Sequence, residues 1–359
     1  MSCIEFLKFC LDDKRVVPVN VNSIDWRKML VWAEQQAIVG VILMGIQNAD
    51  RALNIPFEVL MKWIGYANGI ENQNRKLNRK CLEIFKEYEE SNMGIMLLKG
   101  QGNALLYPKP LLRTPGDIDI LVSNIDRSKL TNYAKAKDHL TGHHYHHIEY
   151  KDEGIPIEIH FLPCSMNNLF YHRRLQKWLR RNEGYCLKEL PESEGEIRVP
   201  TLKYNVVYQL AHMMHHFFDE GIGLRQMIDY YFLLKSENNN QVYGSRSKVN
   251  GYTENLAETL KYLNLYKFAG AVMYIMKEVL GLADEYLIVP IDERRGKTLL
   301  KEILKGGNFG HYSELDQNNA AKKYFQKTWR NMQLVKEYPA EALCEPIFRT
   351  WHFFWRMSH

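Results

Sequence analysis

Asp117 and Asp119 stand at alternate positions of the run Gly116-Asp117-Ile118-Asp119-Ile120-Leu121-Val122. Alternate side chains of a β-strand share a face, so the two carboxylates project together and Ile118 and Ile120 project the other way. One pleat repeat separates them, roughly 6–7 Å. Like charges held so close are costly unless a cation sits between them. Paired hard oxygens suit Mg²⁺, which takes one or two protein carboxylates and fills its shell with water and substrate phosphates. The competing reading is an edge strand with a polar face, although Asp is depleted from strands.

The flanking residues extend this chemistry. Upstream, Ile95-Met96-Leu97-Leu98 is a short apolar run that ends at Lys99-Gly100-Gln101-Gly102. The glycines allow a tight turn and close approach of backbone to a ligand. Asn103–Tyr107 then reads as one or two helical turns, stopped by Pro108 and Pro110. Amides at a helix start, with Lys99 beside them, make an anion site. Downstream, Ile155–Phe161 alternates again, and Glu158 faces opposite to Ile157 and Ile159, where it can supply a third carboxylate. A phosphate site followed by a metal site is what phosphoryl transfer requires.

Leu98-Lys99-Gly100, Tyr107-Pro108, Arg113, the Asp117–Val122 strand and Glu158-Ile159-His160 together resemble the uncharacterised nucleotidyltransferase family of the DNA polymerase beta-like superfamily. The resemblance covers residues 90–165 best and continues more weakly into the helical remainder. It implies a small mixed nucleotidyltransferase sheet and a transfer of nucleoside monophosphate from a nucleoside triphosphate to a hydroxyl acceptor, with pyrophosphate released. Asp117, Asp119 and Glu158 would be catalytic and hold two Mg²⁺ ions, for which Mn²⁺ could substitute. Lys99, Gly100 and Gln101 would hold the β and γ phosphates, and Arg113 would offset charge on the triphosphate. Gly223–Asp229 is similar to a further segment of the same family and would bring Arg225 to the cleft. The chain departs from the superfamily at the turn, where Lys99-Gly100-Gln101 replaces Gly-Ser and Asp117 follows Gly100 by 17 residues. The acceptor, whether small molecule, protein or RNA, is not legible, and neither is the oligomeric state.

Other clusters admit two readings each. His143, His144, His146 and His147, with His160 beyond them, are a polar hairpin surface or a metal-binding group; His144 and His146 share a strand face. His212, His215, His216 and Asp219 admit a metal-dependent phosphohydrolase. Tyr171–Arg181 interleaves bases and aromatics, as a single-stranded nucleic-acid site does, or forms an amphipathic helix with Leu169, Leu175, Trp178 and Leu179 inward. Arg225 and Asp229 lie four residues apart and can pair on one helix face. A catalytically weak nucleotide-binding module and a toxin-like enzyme modifying transfer RNA or protein are the alternatives to a transferase of free nucleotides.

At 359 residues, 46% hydrophobic and 25% charged, the chain can bury a core and exceeds one typical domain. A net charge of +5 permits nucleotide binding without arguing for it. Six scattered cysteines form no Cys-x-x-Cys pair, which argues against a zinc ribbon and for free thiols of a cytoplasmic protein. Acidic residues interrupt the N-terminal stretch, so no signal peptide is expected, and no apolar run is long enough to cross a bilayer. The expected fold is α+β: a helical subdomain over 1–90, a nucleotidyltransferase core over 91–200, and a second helical subdomain over 201–359. Within it, single helices are expected over 26–46, after Pro56 and over 72–91, a loop over 236–252, and a docked aromatic tail over 318–359.

Overall fold

The carboxylate run becomes the second strand of a five-stranded sheet. The strands are β1 (Gly94–Leu97), β2 (Ile118–Ser123), β3 (Gly142–His143), β4 (His147–Asp152) and β5 (Ile155–His160), in spatial order β1-β2-β5-β4-β3. β2 runs parallel to β5, and the other pairs are antiparallel. This computed structural model describes residues 2–11, 17–18, 20–49, 53–123, 125–138, 141–192, 195–236, 252–310 and 320–358.

The two faces of the sheet differ completely. Ile118, Ile120, Ile148, Tyr150, Ile157 and Ile159 share one face and one core, with Leu77, Cys81, Ile84, Phe85 and Tyr88 of α4 (Phe57–Glu90) and Leu130 and Ala134 of α6 (Arg127–Lys137). Each buried isoleucine is worth about 1.5–3 kcal/mol, so this face anchors the sheet. The register sets Asp119 beside Glu158 and His147 beside His160, which places all four on the opposite face. That face is covered by helices α8 (Leu202–Asp219) and α9 (Leu224–Lys235) and by the C-terminal helix Pro339–Ser358. Those helices belong to a second core that also takes in α1 (Cys3–Leu11), α2 (Trp26–Gln35) and α3 (Val39–Gln47). The architecture is α+β with helical flanks, as the sequence implied.

Several elements differ in extent from the sequence reading. The helix expected over 26–46 is two, because Ala37 takes a positive φ of 55° between α2 and α3 and Gln36 turns its side chain to the carbonyl of Ile303 and the amide of Leu224. The helices expected after Pro56 and over 72–91 are one 34-residue helix, α4. Residues 185–200 form an unforeseen hairpin, β6 (Tyr185–Glu189) and β7 (Glu196–Pro200), whose Ile197 joins the sheet core. The basic aromatic segment is helix α7 (Leu169–Asn182) with His172, Leu175, Gln176 and Leu179 inward, while Leu169 is exposed. Apart from Ser236 and Tyr252, the 236–252 loop lies outside the described residues. The tail packs on the body through Tyr338, Ala342 and Leu334, yet Phe325, Trp329, Phe353 and Phe354 stay exposed.

Long-range polar contacts hold the sheet at both ends. The β4–β5 turn is tied to α4 by Lys80, whose Nζ lies 3.0 Å from Glu153 and 3.5 Å from Asp152. Asn74 of the same helix donates to the carbonyls of Leu111 and Arg113, at 2.6 and 2.8 Å, and so fixes the loop that leads into β2. Gly40 lets α3 press against that loop, since a Cβ there would collide with the carbonyl of Leu112. No described helix is long and apolar enough to cross a membrane.

Candidate active site

Lys99 ends the extended segment after β1, where the chain turns at Gly100 with a φ of +60°, a region that favours glycine. The turn directs the Lys99 ammonium at the sheet rather than at solvent: Nζ is 2.9 Å from Asp119 Oδ1 and 2.8 Å from His212 Nε2 of α8. The helix that follows Gly100, α5 (Gln101–Ala104), is a single turn. Asp119 Oδ1 also meets His160 Nε2 at 3.1 Å, and the same nitrogen lies 3.2 Å from Glu158 Oε2. Asp119, Glu158 and His160 thus each offer a ligand atom within 4.8 Å of the others. Asp117 sits just ahead of β2, and lines a cavity of about 350 Å³ together with Lys99, Glu158 and His160.

The charges are unevenly compensated. Burial and the neighbouring Asp119 carboxylate push the Asp117 carboxyl above its ordinary value, against the pull of Lys99 and Arg225. Burial would raise Asp119 too, but Lys99 and the His160 hydrogen bond outweigh it and hold Asp119 below the ordinary range. For His160, burial opposes the charged form, yet the hydrogen bonds to Asp119 and Glu158 carry its pKa up to about 9. A lysine and an imidazolium therefore neutralise two of three acids, and Asp117 bears the uncompensated charge.

The remaining expected phosphate contacts fall in different places. Gln101 is buried, and its side-chain amide donates to Asn78 and the Asn74 carbonyl of α4, away from the acids. Arg113 is fastened to Asp229 by a bidentate pair at 2.7 Å for both Nε and Nη2. Tyr107 Oη donates to the same carboxylate at 2.7 Å, and Asn103 Nδ2 at 3.3 Å. Asp229 is thus saturated with donors, and Arg113 is a brace between the loop and α9. Both side chains are engaged by buried polar groups that need a partner, and Arg113 also borders a small cavity together with Asp117 and Asp119. The pairing expected between Arg225 and Asp229 does not form for the same reason. Arg225 instead donates to the carbonyls of Thr114 and Pro115, at 3.3 and 3.2 Å, and lies over the Phe309 ring at 5.2 Å. It shares a small cavity with Lys99, Gly100, Asp117 and Asp119.

The two histidine clusters, far apart in sequence, converge. His144, His146, His147, His160, His212, His215, His216 and His352 all line the larger cavity, eight of the chain's 13 histidines. Burial pushes His144 and His215 down to about 4 and holds His146, His147 and His212 well below their ordinary value, so these five rings are neutral at pH 7. No local pattern linked His212 to Lys99, 113 residues away. The place of His160 on the acid face was readable, since it follows Glu158 by two residues in a strand.

A family model described as uncharacterised nucleotidyltransferase matches residues 22–281. No curated protein sequence matches the chain. Among solved structures, an antigenic nucleotidyltransferase-like protein from Paracoccidioides brasiliensis is similar at 11% identity, over 53% of this chain and 92% of that one, with a TM-score of 0.32. The family match spans more than half of the chain and takes in Lys99, Asp117, Asp119, Glu158 and Arg225, so the chain belongs to the uncharacterised nucleotidyltransferase family.

Proposed function

We propose that the chain moves a nucleoside monophosphate from a nucleoside triphosphate onto a hydroxyl acceptor, with divalent cations held by Asp117, Asp119 and Glu158. The observation that carries this reading is the register of β2 and β5, which stands Asp119 directly beside Glu158 on a face that the fold otherwise has no reason to charge. The donor set fits Mg²⁺ or Mn²⁺: carboxylate oxygens are the ligands such ions take, and Asp117 is an acid whose charge the fold leaves under-compensated. Bound there, the ions would supply charge neutralisation on the attacking and leaving oxygens.

The chain's own groups account for the rest. Lys99 would offset negative charge on the triphosphate. His160 holds Asp119 and Glu158 in position through one ring nitrogen. Glu158 would take the acceptor's proton as the acceptor oxygen bonds to the α-phosphorus and the α–β bridging bond breaks, releasing pyrophosphate. Arg225, behind residues 114–116, holds the segment from which Asp117 projects.

Cell extract, Mg²⁺ and nucleoside triphosphates labelled at either the α or the γ phosphorus test the reading. Label from the α position should appear on an acceptor. Transfer of γ label alone would make the chain a kinase and overturn it. A second reading, a nucleotide-binding module without turnover, is favoured by the way Lys99 and His160 already engage Asp119. It predicts Mg²⁺-dependent thermal stabilisation by a triphosphate and no labelled acceptor. A toxin-like action on RNA would rest on the exposed Arg173, Lys177, Arg180 and Arg181 of α7, and salt-dependent RNA binding lost on their neutralisation would mark it.

A further inference from the structure

Beside the acids lies a cluster of different chemistry. His146, His147 and His160 each offer a ring nitrogen within 4.8 Å of the others. Backbone holds them there. His147 and His160 are register partners across β4 and β5. The carbonyl of His146 accepts from the amides of Phe161 and Leu162, at 2.9 and 3.2 Å, which fixes that residue over the end of β5. An ordinary polar hairpin would turn such rings to solvent, but His147 is 8% exposed and His160 1%.

Their unpartnered atoms point to a ligand. His160 gives Nε2 to Asp119 and Glu158, and its Nδ1 is buried with no hydrogen-bond partner. The Nδ1 of His147 is likewise buried and unpartnered. Leaving such a group unsatisfied costs about 1–3 kcal/mol. One ring nitrogen on a carboxylate and the other free is the arrangement of a metal-ligating histidine. Imidazoles select zinc, copper, iron or nickel, whereas Mg²⁺ takes oxygen, and an ion at His160 Nδ1 would displace the proton that the imidazolium carries there, leaving Nε2–H on the two carboxylates. Zinc is held by three or four such ligands. His215 of α8, its ring centroid 5.9 Å from that of His146, is placed to be a fourth.

We propose that His146, His147 and His160 form a site for a borderline transition-metal cation of the Zn²⁺ class, distinct from the carboxylate site and joined to it through the His160 imidazole. Such an ion would lock the start of β4 to the end of β5 and hold His160 against Asp119 and Glu158. The inference does not need nucleotidyl transfer to be correct, since it concerns a different donor set.

The test is equilibrium dialysis of the full chain against Zn²⁺ in excess Mg²⁺, followed by metal analysis and zinc X-ray absorption. About one zinc per chain should be retained with imidazole ligation in the spectrum. Simultaneous His146→Ala and His147→Ala substitution should weaken retention at least about tenfold. Asp117→Asn should keep its zinc, which separates this site from the one proposed for transfer. Removal of zinc by Mg²⁺, a spectrum without imidazole, or unchanged binding in a folded double variant would overturn the proposal. If the double variant does not fold, the spectrum of the unaltered chain decides.

Discussion

Strands β2 and β5 each present two faces that differ by one residue in sequence and by everything in chemistry. On one side Ile118, Ile120, Ile157 and Ile159 are buried against α4 and α6. On the other Asp117, Asp119, Glu158 and His160 are sunk beneath α8, with Lys99 among them. The apolar face needs no partner chemistry, only volume. The polar face is tolerable only because each buried charge meets another, and where the meeting is incomplete, at Asp117, the carboxyl is pushed toward its neutral form. The strands thus combine an anchor and a reactive surface, and the anchor keeps the costly side in place.

The largest expected effect comes from moving a carboxylate to the wrong face. Ile118→Asp would bury a charge with no partner and should cost about 3–5 kcal/mol or prevent folding, read by chemical denaturation. A comparable loss, about 3–5 kcal/mol, is expected of Arg113→Met, because Asp229 would keep its buried charge and lose its cation. Stability left nearly unchanged would mean that Asp229 does not depend on that cation.

A third carboxylate environment sharpens the contrast. Glu341 is buried and, among the described residues, receives only the amides of Asn167 and Asn168 and faces no cation, so burial pushes its pKa up to about 7. In the unfolded chain it would titrate near its ordinary 4.5. Between those values the folded protein holds a proton that the unfolded chain has released. Stability from this group is therefore full below about pH 4.5 and falls as pH rises to about 7. Thermal melts of the chain and of Glu341→Gln should differ in slope across that window, the variant being flatter. The smallest stability effect is expected at Asp117→Asn, which removes a charge the fold disfavours and should leave the melting temperature unchanged or slightly raised.

The sequence exposed what strand periodicity controls. Asp117, Asp119 and Glu158 could be assigned to one face from alternation alone, and their neighbours to the core. It could not expose partners chosen across the chain. Asp229 was four residues from Arg225 and was expected to pair with it, yet Arg113, 116 residues away, reaches it with better geometry. Gln101 and Arg113 looked free because the buried groups that occupy them lie on α4 and α9. The histidines were legible as two local clusters, but their convergence depends on α8 crossing the polar face, which no local pattern encodes. The β6–β7 hairpin was hidden because its first strand, Tyr185–Glu189, has no buried face and so shows little of the alternation that marks a strand.

The central claim is that the polar face is where transfer occurs. The measurement that tests it most directly is transfer of α-labelled nucleotide by a chain carrying both Asp117→Asn and Asp119→Asn, compared with the unaltered chain at matched thermal stability. The account predicts that label transfer disappears while the fold persists. Equal labelling by the two proteins would contradict it.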